Sequence, residues 1–340
     1  MGVKDFVQKN FLILGLLAVI CFGIIFPEPG KFLESVRFHG FTVPNLAIII
    51  IFVVSGLCLA SASDALQPKA LTLGVILVLG ITPLVAIPVL AIGKLNPNLN
   101  YKLLQGMALF TLVPTTLSSG VTMITQAKGN VSLAVLLTSM TNIMGIFTMP
   151  WSASWVFATN VSINPLHMLF ELVWLTLVPL CIGMGLRSFV PALKAFATDN
   201  KKAMGLSQNC CILLVVLLMV SNAQSSIVSA SPSDLSLCLS LAAGVHLVYR
   251  VLGYFVATAA RLPPPEWVSI VLMCSQKSLP VCVCVLVALP PTFRHDFGLY
   301  ILPCIMAHAA QLIIDSILAV RWQIDDSASV SKEALLSNEI

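Results

Sequence analysis

The chain has 340 residues, 58% of them hydrophobic and 9% charged, with a formal net charge of +4 and a mean hydropathy of +0.98. Soluble domains carry about 25% charged residues, so this composition excludes a soluble globular protein and indicates a chain that crosses a membrane many times. The small net charge and the absence of a basic run leave no basis for a nucleic-acid partner; membrane lipids are the expected surroundings.

A membrane helix needs about 20 apolar residues, within a range of about 17–25. Ten stretches qualify, at about 11–27, 43–62, 69–93, 103–127, 130–158, 166–187, 204–224, 235–260, 267–290 and 298–320. They predict an all-α membrane protein of ten transmembrane helices, a single domain over 1–322, and a polar, mobile tail over 323–340. The first stretch follows Lys4 and Lys9 and has no small-x-small cleavage site, so it reads as a span and not as a signal peptide. Phe6 stands where myristoylation of Gly2 would need Ser or Thr. An Arg- and Ser-rich transit segment is absent, so in an organelle the sequence would be a mature or truncated form. The longest polar connections are 28–42 and 188–203.

Loop charge sets orientation. Eleven of the 18 Lys and Arg residues fall on the side that holds both termini and five on the other, which predicts cytoplasmic or stromal termini. Trp151, Trp155, Trp267 and Trp322 lie near span ends, as interface anchors do. Asn160-Val-Ser162 and Asn130-Val-Ser132 match the glycosylation pattern, on opposite sides. All ten cysteines fall inside apolar segments without a C-x-x-C spacing, so they read as small buried hydrophobes and not as zinc or redox ligands.

Ten spans divide as five plus five, giving repeats of about 11–158 and 166–320. In the fourth span, Pro114-Thr115-Thr116-Leu-Ser118-Ser119-Gly120 interrupts the apolar run. In the ninth, Ser275-Gln276-Lys277-Ser278-Leu279-Pro280 does the same and adds a charge. An odd number of spans per half inverts the second half, so the two broken helices would cross antiparallel near the midplane. Interrupted segments in corresponding places of two halves mark a transporter's binding site. Irregular backbone survives at membrane depth only inside protein or against a watery cavity. An ionisable group there costs roughly 2.5–3.5 kcal/mol on insertion scales and marks a functional site.

The candidate substrate- and ion-binding residues are therefore Thr115, Thr116, Ser118, Ser119, Ser275, Gln276, Lys277 and Ser278, joined by Thr138 and Asn142 on one face of the fifth span and by His308 and Gln311 in the tenth. Freed carbonyls and hydroxyls suit a hard cation, and a half-helix N-terminus suits a carboxylate. The structural alternatives are small-residue packing at Ser118–Gly120 and interhelical hydrogen bonds at Thr138 and Asn142, worth about 0.6 kcal/mol each. Lys277 could bind an anionic substrate, titrate for proton coupling, stand where a sodium ion would sit, or pair with a carboxylate or freed carbonyls. His308, Gln311 and Asp315 share a helix face, as do His246 and Arg250; Arg250 with Glu171 or Asp315 reads as a structural ion pair. No H-E-x-x-H, G-x-S-x-G or P-loop pattern occurs, so an enzyme is not expected and no catalytic residue or cofactor is assigned beyond Na+ or H+ as a coupling ion.

The stretches VPTTLSSGVTMITQAKGN, LLTSMTNIMGIFTMPW, CSQKSLPVCV and LPCIMAHAAQLIIDS resemble the bile acid:sodium symporter family. The resemblance is strongest to the branch of plant plastid sodium/metabolite cotransporter-like proteins and of animal and fungal members linked to calcium regulation. It covers nearly the whole chain. It implies ten helices in two inverted five-helix repeats, panel and core domains, and broken fourth and ninth helices. It implies sodium ligands at Ser119, Thr138 and Gln276. Three departures stand out: Gly120 where relatives have Asn, Ala134 in place of a hydroxyl, and Leu272 in place of a shared acidic ligand with Lys277 added one turn on. A cation without that carboxylate disfavours sodium by Coulomb repulsion.

The expected function is secondary active transport of a small organic anion by alternating access. The alternative is a membrane regulator of calcium homeostasis with little or no transport. A channel is a weaker reading, because no ring of acidic or carbonyl motifs is visible. The membrane would be a plastid envelope in a plant or alga, and plasma membrane, ER or Golgi otherwise.

Overall fold

The computed structural model describes residues 11–59, 67–96, 99–116, 118–158 and 163–337. Helix α1 (Phe11–Ile25) turns through 94° into α2 (Pro27–Ser35), with Pro27 opening the second helix. A hairpin follows, Arg37–Phe38 paired antiparallel with Phe41–Thr42. Its two-residue turn has positive φ at both His39 and Gly40, the primed geometry that matches strand twist. Helix α3 (Val43–Cys58) is capped by Thr42, which accepts from the Asn45 N–H. Helix α4 (Pro68–Leu95) carries a π turn over Leu77–Ile81 and a 3-10 turn over Thr82–Val85. Then come α5 (Tyr101–Leu112), α6 (Ser118–Gln126), α7 (Val131–Phe157), α8 (Pro165–Phe189), α9 (Pro191–Asp199), α10 (Lys201–Asn222) and α11 (Gln224–Val228). The chain closes with α12 (Pro232–Ala259), α13 (Pro264–Met273), α14 (Leu279–Val287) and α15 (Phe297–Ser337).

Among the described residues, helix occurs in each of the ten stretches expected to be spans, and the protein is a mostly helical membrane protein. Among the described residues, six helices are long and apolar enough to cross a membrane singly: α4, α7, α8, α10, α12 and the Phe297–Ala319 part of α15; the bent pair α1–α2 would make seven. Physical reasons separate the rest. Helix α3 has only 16 residues. Two other stretches are divided after Leu112 and after Met273, leaving α5, α6, α13 and α14 each too short alone. The expected polar connections are largely helical as well, forming α2 and α9. Helix α15 runs on to Ser337, with no Gly or Pro after Pro303 to stop it.

Helices α1, α3, α8 and α10 pack together, while α4, α5, α7, α12, α13 and α15 form a second group that α10 touches through α15. Small residues let backbones approach, as in membrane helix packing generally. A Cβ on Gly56 of α3 would lie 2.3 Å from the Leu180 carbonyl oxygen of α8, and one on Gly183 would lie 2.2 Å from that of Val53. A Cβ on Gly106 of α5 would lie 2.1 Å from the Tyr300 carbonyl oxygen of α15. All ten cysteines are free; Cys21, Cys181 and Cys210 are exposed on the helix surfaces, so the expectation of burial fails for these three. Asn130 caps α7 by accepting from the Leu133 N–H, and its amide donates to Glu266 at 3.0 Å. That commitment explains its side chain without a glycan. Asn160 lies outside the described residues.

Candidate functional site

The two chain breaks meet. The Ser278 N–H donates to the Pro114 carbonyl at 2.9 Å, joining the break between α13 and α14 to that between α5 and α6. The Thr115 hydroxyl donates to the Met273 carbonyl at 2.8 Å, which satisfies the C-terminal end of α13. The Ser275 and Gln276 N–H groups and the Ser275 hydroxyl all donate to the Leu272 carbonyl. Asn142 of α7 donates to the carbonyls of Thr115 (3.0 Å) and Thr138 (2.7 Å), so α7 braces the break at Thr115 from one side. Gly145 of the same helix faces the Pro114 ring, where an added Cβ would lie 3.1 Å from Cγ.

The candidate residues then divide by direction. Thr116, Thr138, Asn142 and Ser278 line a cavity of about 60 Å³, together with Ser139. The opposite wall is Ile51, Phe52 and Ser55 of α3, Leu180 of α8, and Gln208 and Ile212 of α10. Gln208 is held there by bonds to the Ile51 carbonyl and the Ser55 hydroxyl. The cavity thus lies between the two helix groups. Ser278 caps α14 by accepting from the Val281 N–H, and Pro280 and Val281 also line the cavity, so the positive end of the α14 dipole faces it.

The remaining candidates point the other way, into the second helix group. Thr115, Ser275, Gln276, Lys277, His308 and Gln311 are all buried. Gln311 clamps the broken backbone: its Oε1 accepts from the Lys277 N–H at 2.9 Å and its Nε2 donates to the Lys277 carbonyl at 2.8 Å. The second hydrogen of that amide is directed at His308 Nδ1, 2.8 Å away, which acts as acceptor. The Gln276 amide donates to Asp315 of α15, and the Ser119 hydroxyl reaches Gln276 Oε1 at 3.5 Å. Ser118 opens α6. Of the expected sodium ligands, Ser119 and Gln276 meet, whereas Thr138 bonds its own helix at the Ala134 carbonyl and faces the cavity.

Asp315 is the hub of a buried network. It accepts from Arg250 and Gln276, and His246 Nε2 lies 2.8 Å from its Oδ1. His246 Nδ1 faces the Ser275 carbonyl at 3.2 Å. Arg250 therefore pairs with Asp315 and not with Glu171. Glu171 lines a second cavity, of about 350 Å³, with Glu34, Asn45, His167 and Asn222, beyond the C-terminal end of α14.

The partners of Lys277 were not foreseen individually. Its ammonium donates to the Thr82 hydroxyl at 2.8 Å and the Val78 carbonyl at 3.2 Å, both on α4. It also lies 5.4 Å from the centroid of the Tyr249 ring. Thr82-Pro83 was the available signal, since a proline in an apolar helix disturbs the preceding carbonyls.

Over residues 10–324 the chain matches the SBF-like CPA transporter family. The chain belongs to that family. Among its relatives, the probable sodium/metabolite cotransporter BASS4, chloroplastic, of Arabidopsis thaliana is 31% identical over 94% of this chain and 73% of its own length. The sodium/bile acid cotransporter 7-B of Xenopus laevis is 24% identical over 94% of this chain and 93% of its own. The putative symporter YfeH of Escherichia coli is 25% identical over 66% and 67%. For a member of a transporter family, two hydrogen-bonded breaks beside a polar cavity are where discontinuous helices would present backbone to a ligand.

Proposed function

We propose that this family member is a secondary active transporter that moves a small organic anion by alternating access, with the anion held where Thr116, Asn142 and Ser278 face the 60 Å³ cavity. The observation that carries this reading is the Ser278–Pro114 bond, which ties the two broken segments into one site at the edge of that cavity. Hydroxyl and amide groups and the N-terminal end of α14 favour negative charge there. The far end of α14 opens on the larger cavity with its two glutamates, so charge favours an anion at the crossing and not at that end. A cavity of about 60 Å³ admits only a few waters. Binding an organic anion therefore requires α3, α8 and α10 to withdraw from α7 and α14, the rocking of one helix group against another that alternating access uses.

The same reading takes the ten helical stretches as ten spans in two inverted five-helix repeats, with α1, α3, α8 and α10 as panel and the other group as core. Both termini face the cytoplasm or stroma, as the loop charges favour. A plastid envelope fits if the source is a plant, in line with the chloroplastic relative.

The names of the relatives also carry sodium. Around Ser119 and Gln276, the Ser119 hydroxyl reaches Gln276 Oε1 at 3.5 Å and the Leu272 carbonyl accepts from three donors. This reading takes Na+ or H+ as the coupling ion.

The site is tested with small mono- and dicarboxylates, read by thermal stabilisation of the purified protein, since a ligand that binds the folded state stabilises it. Thr116→Val keeps side-chain shape and removes one cavity-facing hydroxyl. It should weaken the stabilising anion about tenfold, the equivalent of one hydrogen bond of about 1–1.5 kcal/mol. Equal affinity in the two proteins would place the anion elsewhere.

A further inference from the structure

Lys277 is fully buried and sits in the break between α13 and α14. Among the described residues its ammonium forms no ion pair with a carboxylate, and the nearby Asp315 is taken by Arg250, His246 and Gln276. What surrounds it is a neutral set: one carbonyl oxygen, one hydroxyl oxygen and one aromatic face.

That set is built by a local irregularity in α4. In the π turn Leu77–Ile81 the Thr82 N–H donates to the Leu77 carbonyl, one residue earlier than an α-helix would have it. The Val78 carbonyl thereby loses its α-helical donor. Its π-helical donor would be residue 83, which is Pro and has no N–H. The freed oxygen accepts from the Thr82 hydroxyl at 3.0 Å and from Lys277. Thr82 in turn offers its lone pairs to the ammonium. Neutral oxygens and the face of a tyrosine ring are ligands for monovalent cations.

We propose that the Val78 carbonyl, the Thr82 hydroxyl and the Tyr249 ring form a monovalent-cation site that the chain fills with its own Lys277 ammonium. The cation is tethered, because Gln311 fixes both backbone groups of Lys277. At this place the protein carries its own cationic group beside the two breaks and needs no free ion to supply it. The inference deepens the coupling part of the transporter reading, and its test reads binding without transport, so either can fail alone.

Lys277→Ala removes the ammonium and leaves a hole shaped for n-propylammonium. The full-length variant and wild type are melted in series of n-propylammonium, sodium and potassium chloride, with choline chloride holding ionic strength constant. Lys277→Ala should melt below wild type in choline and gain about 3–6 °C with n-propylammonium or an alkali cation at a hundredfold excess over Kd. Wild type should not respond, and adding Thr82→Val to the variant should abolish the gain. If the variant is not recovered folded in choline, it is solubilised with n-propylammonium present, where recovery is expected. A variant indifferent to every cation, a wild type that responds equally, or failure to recover the variant in any of them would overturn the proposal.

Discussion

Asp315→Ala is expected to be the most damaging single change in the buried network, costing about 3–5 kcal/mol of stability. Three donors from two other segments converge on this carboxylate: Arg250 and His246 from α12, and Gln276 from the break. Removing it leaves a guanidinium buried without its partner, and an unpaired buried charge costs far more than the pair gains. The loss also frees Gln276, and with it the bond that orients the break toward Ser119. Asp315→Asn keeps an acceptor and should lose less. Removing both charges, as in Arg250→Met with Asp315→Leu, should recover part of the loss, since an apolar pair of similar volume avoids the desolvation cost. Thermal melts of wild type, Arg250→Met, Asp315→Leu and the double variant give the coupling energy. An Asp315→Ala protein that melts with wild type would show that the network is not a stabilising element.

Gln311→Leu should cost a comparable amount, about 2–6 kcal/mol, because it orphans two buried backbone groups, each worth about 1–3 kcal/mol. Both belong to Lys277, at a place where the chain has left the helix and has no local partner for them. Gln311→Glu offers a graded control. Its carboxylate still accepts from the Lys277 N–H but cannot donate to the Lys277 carbonyl, so its melting temperature should fall between those of wild type and Gln311→Leu. Equal melting of all three would mean that water or neighbouring groups satisfy the break.

Much of this site could be read from residue types. Pro114 and Pro280, each amid polar residues in an apolar run, marked both breaks, and the structure brings them into direct contact. The i, i+3, i+7 spacing puts His308, Gln311 and Asp315 on one helix face, and the structure buries all three; of the two carboxylates open to Arg250, the structure selects Asp315. The directions of the side chains were not legible. Gln276, Lys277 and Ser278 are consecutive, yet they point to α15, to α4 and to the cavity respectively. Outside a helix, neighbouring residues have no fixed periodicity from which to infer a face. The destination of Lys277 depended on a π turn, a one-residue shift in hydrogen-bond register that leaves no hydrophobic signature. The spans were legible as apolar stretches, but the turn of 94° at Pro27 and the short α3 were not, because hydropathy averages over the length of a window and is blind to a break within it.

The most direct measurement is uptake into proteoliposomes of whichever carboxylate stabilises the protein, comparing wild type with Ser139→Phe. Ser139 lies in the cavity wall and its hydroxyl bonds only one turn back in α7, to the Val135 carbonyl, among the described residues. A phenyl ring there fills the space between the two helix groups without removing a bond that joins the two breaks. If the cavity at the crossing is the transport site, wild type accumulates the anion and Ser139→Phe loses at least tenfold in rate, while both proteins keep similar melting temperatures in the absence of the anion. Equal uptake by the two proteins would contradict it.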